Sequence, residues 1–226
     1  MKILAIDTST HYLSMAVVKE NKILAHRNIK LRKILSSSII LEIERILKKA
    51  KFSLSGLDGF AVGLGPGSFT SLRVGLSTIK AFSFALEKPV VGISSLDVLA
   101  MNVKEDGSIC VLSDAKRNLL YAAFYEKKNG EIERKSDYLL VSLENLEERI
   151  STETILVGDG INILGQATEK IKGKLTSPSQ WRPQAKNLAL LALKRFERKE
   201  FDDVDKLVPL YLYPEDCQVV KRVGSR

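Results

Sequence analysis

The chain has 226 residues with a hydrophobic fraction of 45%, which is long for one small domain and comfortable for two compact lobes around ordinary cores. Its 35 Lys+Arg against 27 Asp+Glu give a net charge of +8, which permits contact with nucleic acid without demonstrating it. No window approaches the roughly 18 apolar residues of a membrane span, and the start lacks a secretory pattern, so a cytoplasmic protein with no membrane partner is expected.

The opening reads as a strand meander. KILAIDT at 2–8 has the continuous apolar middle of a buried strand, YLSMAVV follows at 12–18, and KILAHRNI at 22–29 returns after Glu20-Asn21. Connections this short make the three strands antiparallel neighbours. A helix is predicted from Leu35 to Ala50, with Leu35, Ile39, Ile43, Ile46, Leu47 and Ala50 on one face and Glu42, Arg45, Lys48 and Lys49 on the wet side. A short strand, DGFAV at 58–62, runs into a glycine-rich loop. A helix from 70 to 86, a strand at 90–93 and a helix with capping-box spacing at Ser94-Ser95-Leu96-Asp97 complete the first half. The order β-β-β-α-β-α-β-α is that of a ribonuclease-H-like lobe.

The second half again places strands first, at 108–115 and 119–126, with a Lys127-Lys128-Asn129-Gly130 turn into another strand. Leu139–Val141 precedes an acidic helix capped by Ser142, and TILVGDG at 154–160 is a further strand. Pro183 stands as the first residue of a long helix. A division into lobes 1–104 and 105–226 follows. Basic residues are dispersed except for Lys30, Arg32, Lys33 and the pair Lys221-Arg222, and they read as solvated surface. Cys110 and Cys217 read as two reduced structural thiols.

Three features carry possible chemistry. Asp7-Thr8-Ser9-Thr10 ends the first strand in a turn of the kind that holds a nucleotide phosphate and its magnesium, although such residues also make ordinary strand-end turns. Asp114 and the Gly158-Asp159-Gly160 turn are possible second-lobe counterparts. The loop Gly63, Gly65, Pro66, Gly67, Ser68, Phe69, Thr70, with Arg73 beyond it, leads directly into a helix. It is either an anion-binding helix start or a tight connection capped by Ser68 or Thr70. It has neither the lysine of a P-loop nor the glycine order of a dinucleotide fingerprint.

The helix after the loop is apolar on two sides. Leu72, Leu76, Ile79, Phe82 and Leu86 make one stripe; Val74, Ala81 and Ala85 lie opposite with Phe84 nearby. The helix is therefore either sandwiched in its own lobe or packed on a partner chain. His11 and His26 are the only histidines, and they have no metal-binding spacing.

ILAIDTST at 3–10, GLGPGSFTSLRVG at 63–75, SDAKR at 113–117 with Tyr121, Ala123 and Tyr125, VGDG at 157–160, Pro183-Gln184-Ala185 and PLYL at 209–212 together resemble the TsaB family, also called YeaZ. The resemblance implies a two-lobed actin-like ATPase (ribonuclease-H-like) α/β fold and a part in forming threonylcarbamoyl-adenosine beside the anticodon of tRNAs reading A-starting codons. It implies a non-catalytic subunit that pairs with a TsaD-like catalytic subunit, is joined by a TsaE-like ATPase and meets tRNA through the complex. A homodimer is expected when the partner is absent. No cofactor is expected on the isolated chain, and ATP or ADP with magnesium only at a complex interface.

The interface expected from this resemblance and the helix pattern comprises Leu35, Ile39, Leu72, Val74, Ser77, Thr78, Ala81, Phe84 and Ala85, with no catalytic or metal residue. Departures from the family pattern are Leu35 for histidine, Ser71 for glycine and Tyr213 for arginine. The alternative is an ATP-dependent phosphotransferase or hydrolase using Asp7, Asp114 and Asp159. A metal peptidase ranks below it, since the paired histidines it needs are missing.

Overall fold

A computed structural model of the chain describes residues 1–31, 35–164 and 172–213; Arg32, Lys33, Cys217, Lys221 and Arg222 lie outside the described residues. The meander forms as expected, with β1 (Lys2–Asp7), β2 (Tyr12–Lys19) and β3 (Lys22–Lys30) paired antiparallel in chain order. On the other side of β1 lie the parallel strands β4 (Gly59–Gly63) and β5 (Val90–Ile93), giving the order β3-β2-β1-β4-β5. Helices α1 (Ile39–Ala50) and α2 (Phe69–Leu86) lie in the crossovers that parallel pairing requires.

Alternation along β1 divides the core into two layers. Leu4 and Ile6 pack with Met15, Ile43, Ile46, Leu76 and Ile79 under α1 and α2. Ile3 and Ala5 face the other way, where Ala16 and Ala61 join them and α6 (Ala185–Glu197) closes over the sheet. That helix presents Ala185, Ala189 and Ala192 to the sheet's alanines, so it can approach closely, with Leu188 and Phe196 filling the remaining space. Residues 185–197, placed with the second lobe by the division at 104/105, are thus a layer of the first. Two complementary small-residue faces far apart in sequence make this pairing, and no local pattern reveals it.

The second sheet contains β6 (Gly107–Lys116), β7 (Leu119–Lys128), β8 (Glu131–Arg134), β10 (Ile155–Val157) and β11 (Lys174–Leu175) in the order β11-β10-β6-β7-β8, with β9 (Leu139–Ser142) also paired to β7. Short helices α4 (Glu144–Glu147) and α5 (Ile161–Leu164) cover one face through Leu146 and Ile161. Helix α3 (Ser95–Ala100) covers the other: Leu96 and Leu99 pack on this sheet, while Val98 belongs to the α6 layer of the first.

Local signals fail where tertiary contacts take over. Ser142 pairs with Leu119 inside β9, so it caps nothing, and α4 starts after Leu143. Pro183 precedes α6 rather than opening it; the first helical amide, Ala185 N–H, donates to Ser14 Oγ of β2 at 2.7 Å. Leu35–Ser37 is a 3-10 turn ahead of α1, and Glu42 is buried, held by Arg27 at 3.3 Å and by Arg45. Ser94 does cap α3 by accepting from Leu96 N–H, but Asp97 turns away to accept from the Tyr125 and Tyr138 hydroxyls, each at 2.8 Å.

If α6 is a layer of the first lobe, Phe196→Ala should lower the unfolding free energy by about 3–5 kcal/mol in urea titrations. A near-neutral result would contradict that placement.

Candidate functional site

Asp7 ends β1 almost without solvent contact, at 2% exposure. Its Oδ1 accepts from Ser9 N–H at 2.9 Å and from Ser9 Oγ at 2.7 Å; its Oδ2 accepts from Ser95 Oγ at 2.7 Å. The glycine loop closes over this carboxylate. A Cβ on Gly63 would stand 2.1 Å from Asp7 Oδ2, and one on Gly67 would stand 2.1 Å from the Ser9 carbonyl oxygen, so only glycine fits at either place.

The rest of the loop is tied as firmly. Ser68 N–H donates to Ser9 O at 2.8 Å, and Thr8 Oγ1 donates to Ser71 O at 2.8 Å. Ser95 N–H donates to Gly65 O at 2.7 Å, and Gly65 N–H donates to Ser95 Oγ at 3.1 Å. Ser68 is the N-cap of α2 by position, yet its side chain caps no backbone amide and donates to Ser71 Oγ instead. Thr70 lies inside the helix and is exposed. Thr10 Oγ1 accepts from Tyr12 N–H at 3.2 Å. Both carboxylate oxygens of Asp7 and the loop amides at Gly65 and Ser68 are therefore spent inside the fold.

In the second lobe Asp114 and Asp159 come together. Asp159 Oδ1 accepts from Ser113 Oγ at 2.9 Å and from Asp114 N–H at 3.1 Å, while the Asp114 carboxylate pairs with Lys116. Gly160 N–H donates to Leu112 O at 3.1 Å, so the Gly158-Asp159-Gly160 turn fastens the end of β10 to β6. Tyr213 donates its hydroxyl to Ala115 O at 2.7 Å and meets the Tyr121 ring edge-on, with centroids 6.2 Å apart. Cys110 is buried, and burial pushes its thiol up. Among the described residues no three His, Cys, Asp or Glu side chains converge as a metal set, and no helix is long and apolar enough to cross a membrane.

Among the described residues the α2 helix is covered on one side only. Leu72, Leu76 and Ile79 are buried, but Ser77, Ala81 and Ala85 are exposed, and Phe84 and Phe69 expose 58% and 52% of their surface. Beside it α1 exposes Ile40 at 47% and Leu41 at 48%. A groove of about 350 Å3 runs between them, lined by Ser36, Ile39, Ile40, Arg73, Val74, Ser77 and Thr78. Thr78 Oγ1 donates to Val74 O at 2.8 Å, so its polar end faces its own helix. Leu35, Ile39 and Leu72, expected at the partner surface, are buried in the first lobe: Ile39 and Leu72 lie on the inward stripes of α1 and α2, and Leu35 enters the core from the 3-10 turn before α1. Sequence reasoning missed Ile40, Leu41 and Tyr211. The first two fall outside the inward α1 stripe and were legible as unpartnered apolar residues; Tyr211 reaches α2 only through the tertiary course of the chain.

Comparison with known proteins bears on this geometry. The family described as TsaD, tRNA N6-adenosine threonylcarbamoyltransferase, matches residues 30–215. The tRNA threonylcarbamoyladenosine biosynthesis protein TsaB of Bacillus subtilis is 32% identical over 220 residues, 94% of each chain. Among solved structures, a Pseudomonas aeruginosa protein described as similar to the peptidase YEAZ superposes with a TM-score of 0.82 at 23% identity, over 94% of this chain and 99% of that one. The activator of the 2-hydroxyisocaproyl-CoA dehydratase from Clostridium difficile, with bound ADPNP, gives 0.51 at 13% identity over 90% and 99%. These likenesses bear out the two-lobed actin-like ATPase fold expected from the sequence.

Burial raises Asp7 above its ordinary value of 3.8, and the hydrogen bonds from Ser9 and Ser95 offset this only in part. The folded state then keeps the proton to higher pH than the unfolded chain, so this contribution to stability is present at low pH and lost as pH rises through the raised value. In urea titrations between pH 4 and 7, the stability of wild type relative to Asp7→Asn should fall with rising pH. A rise would mean that the site is built for the anion.

Proposed function

The chain belongs to the TsaB family of tRNA threonylcarbamoyladenosine biosynthesis proteins, and from that premise we propose that it is a non-catalytic subunit acting by pairing with a TsaD-like catalytic subunit. The observation that carries this reading is the outer face of α2, with Ala81, Phe84 and Ala85 exposed next to Ile40 and Leu41 of α1. A helix that buries one stripe in its own lobe and bares a second of small and aromatic residues suits close helix-on-helix docking.

The state of Asp7 supports the non-catalytic part of the reading. A phosphotransferase would need that carboxylate open to hydrated metal, and here both oxygens already accept hydrogen bonds under a closed loop. In this reading ATP or ADP with magnesium binds only where the partner completes a site. A TsaE-like ATPase joins the pair, and tRNA meets the assembly as a whole in the cytoplasm. Without its partner the same face self-associates as a homodimer.

The experiment is reconstitution of threonylcarbamoyl transfer to tRNA with the catalytic subunit, with and without this chain. Transfer should depend on it, and Ala81→Glu or Phe84→Glu should weaken association by more than about tenfold while leaving thermal unfolding unchanged. Transfer independent of the chain would sink the reading, as would glutamate variants that bind normally.

A further inference from the structure

Arg73 lies in the second turn of α2, at the groove between α1 and α2. Its guanidinium carbon stands 3.8 Å from the centroid of the Phe69 ring, and its Nε donates to the Tyr211 hydroxyl at 3.0 Å. The Phe69 and Tyr211 rings pack with centroids 5.4 Å apart, and both are about half exposed. A surface arginine ordinarily loses its side-chain freedom only when a partner arrives; this one is held in place beforehand by a ring stack and a hydrogen bond. Among the described residues no carboxylate pairs with it. Among the described residues its only side-chain hydrogen bond is the one from Nε, which leaves its terminal N–H groups available.

The two helices that line the groove carry little free acid. The α2 sequence, Phe69–Leu86, contains no acidic residue. On α1 Glu42 is taken by Arg27 and Arg45, which leaves Glu44 as that helix's exposed acid. A second copy docked α2 against α2 would set Arg73 against a helix with no carboxylate.

We infer that Arg73 is the polar anchor of the partner face, a preset fork that takes a carboxylate from an otherwise apolar helix of the non-identical catalytic subunit. This rests on the pairing proposed above and adds to it what the partner must carry. Ile40, Ala81 and Phe84 supply apolar area that does not distinguish one apolar helix from another; the fixed cation supplies register and choice of partner. Phe69 and Tyr211 are positioning residues that act through Arg73.

The test compares wild type, Arg73→Gln, Arg73→Lys and Tyr211→Phe for binding to the catalytic subunit of the same organism by calorimetry at low and high salt. Sedimentation equilibrium reads self-association, and gel shift reads tRNA binding. Arg73→Gln should bind the subunit more than tenfold more weakly, with the gap narrowing at high salt. Arg73→Lys should recover only part of the loss because an ammonium has no planar fork. Tyr211→Phe should lose less, in the same direction, and self-association should be unchanged. If Arg73→Gln binds as tightly as a wild type that does bind, this inference fails alone; if the wild type does not bind the subunit, it fails together with the pairing beneath it. An equal loss of self-association assigns Arg73 to a second copy, and a loss confined to tRNA binding assigns it to RNA phosphate; either overturns the inference.

Discussion

Buried at the end of β1, the Asp7 carboxylate receives Ser9 from the first hairpin and Ser95 from the start of α3, and Gly63 passes so near that a methyl group would overlap it. Those contacts set the course of the chain on both sides. Ser9 O receives Ser68 N–H, which fixes where α2 begins, and Ser95 holds the Gly65 backbone from the other side. Because Ser95 opens α3, and α3 lays Leu96 and Leu99 on the second sheet, the same knot ties the two lobes together. A buried acid costs desolvation, and here three donor contacts of 2.7–2.9 Å offset that cost in part.

From this knot follows what α2 can offer. Its start and axis are fixed by the loop, so Leu72, Leu76 and Ile79 face the core and the opposite stripe faces out. The glycine-rich loop looks like a phosphate cradle when only its spacing is considered. In the fold its glycines make room for Asp7 and Ser9, and amides at Gly65 and Ser68 are bound to protein oxygens. Its closed geometry serves the placement of a helix.

Much of this was legible in the sequence because it is local. The apolar run of 2–8, the short turns of the meander and the 3.6-residue period of α1 and α2 each specify an element without outside help. What was not legible depends on partners distant in the chain. The α6 layer is set by alanines of β1, β2 and β4, and its first amide is capped by Ser14, 171 positions away. Ser142 looks like a helix cap only until Leu119 claims it for a strand pair. At the candidate site, the two-sided apolar pattern of α2 was visible, but which side faces out was not; Leu72 lay on its inward side, and Leu35 and Ile39 turned into the core before and on α1. Asp7 stood out by type and place, and its burial became visible only with Ser95 beside it.

On the proposed pairing, the closed knot at Asp7 presents the outer face of α2 to a catalytic partner. Hydrogen–deuterium exchange on this chain, alone and bound to that subunit, tests it most directly. Residues 63–68 should be slow to exchange in both states, and binding should add protection over Phe69–Leu86 and the exposed side of α1. Fast exchange at 63–68 in the free chain, or new protection confined to the Asp114 and Asp159 turn, would contradict it.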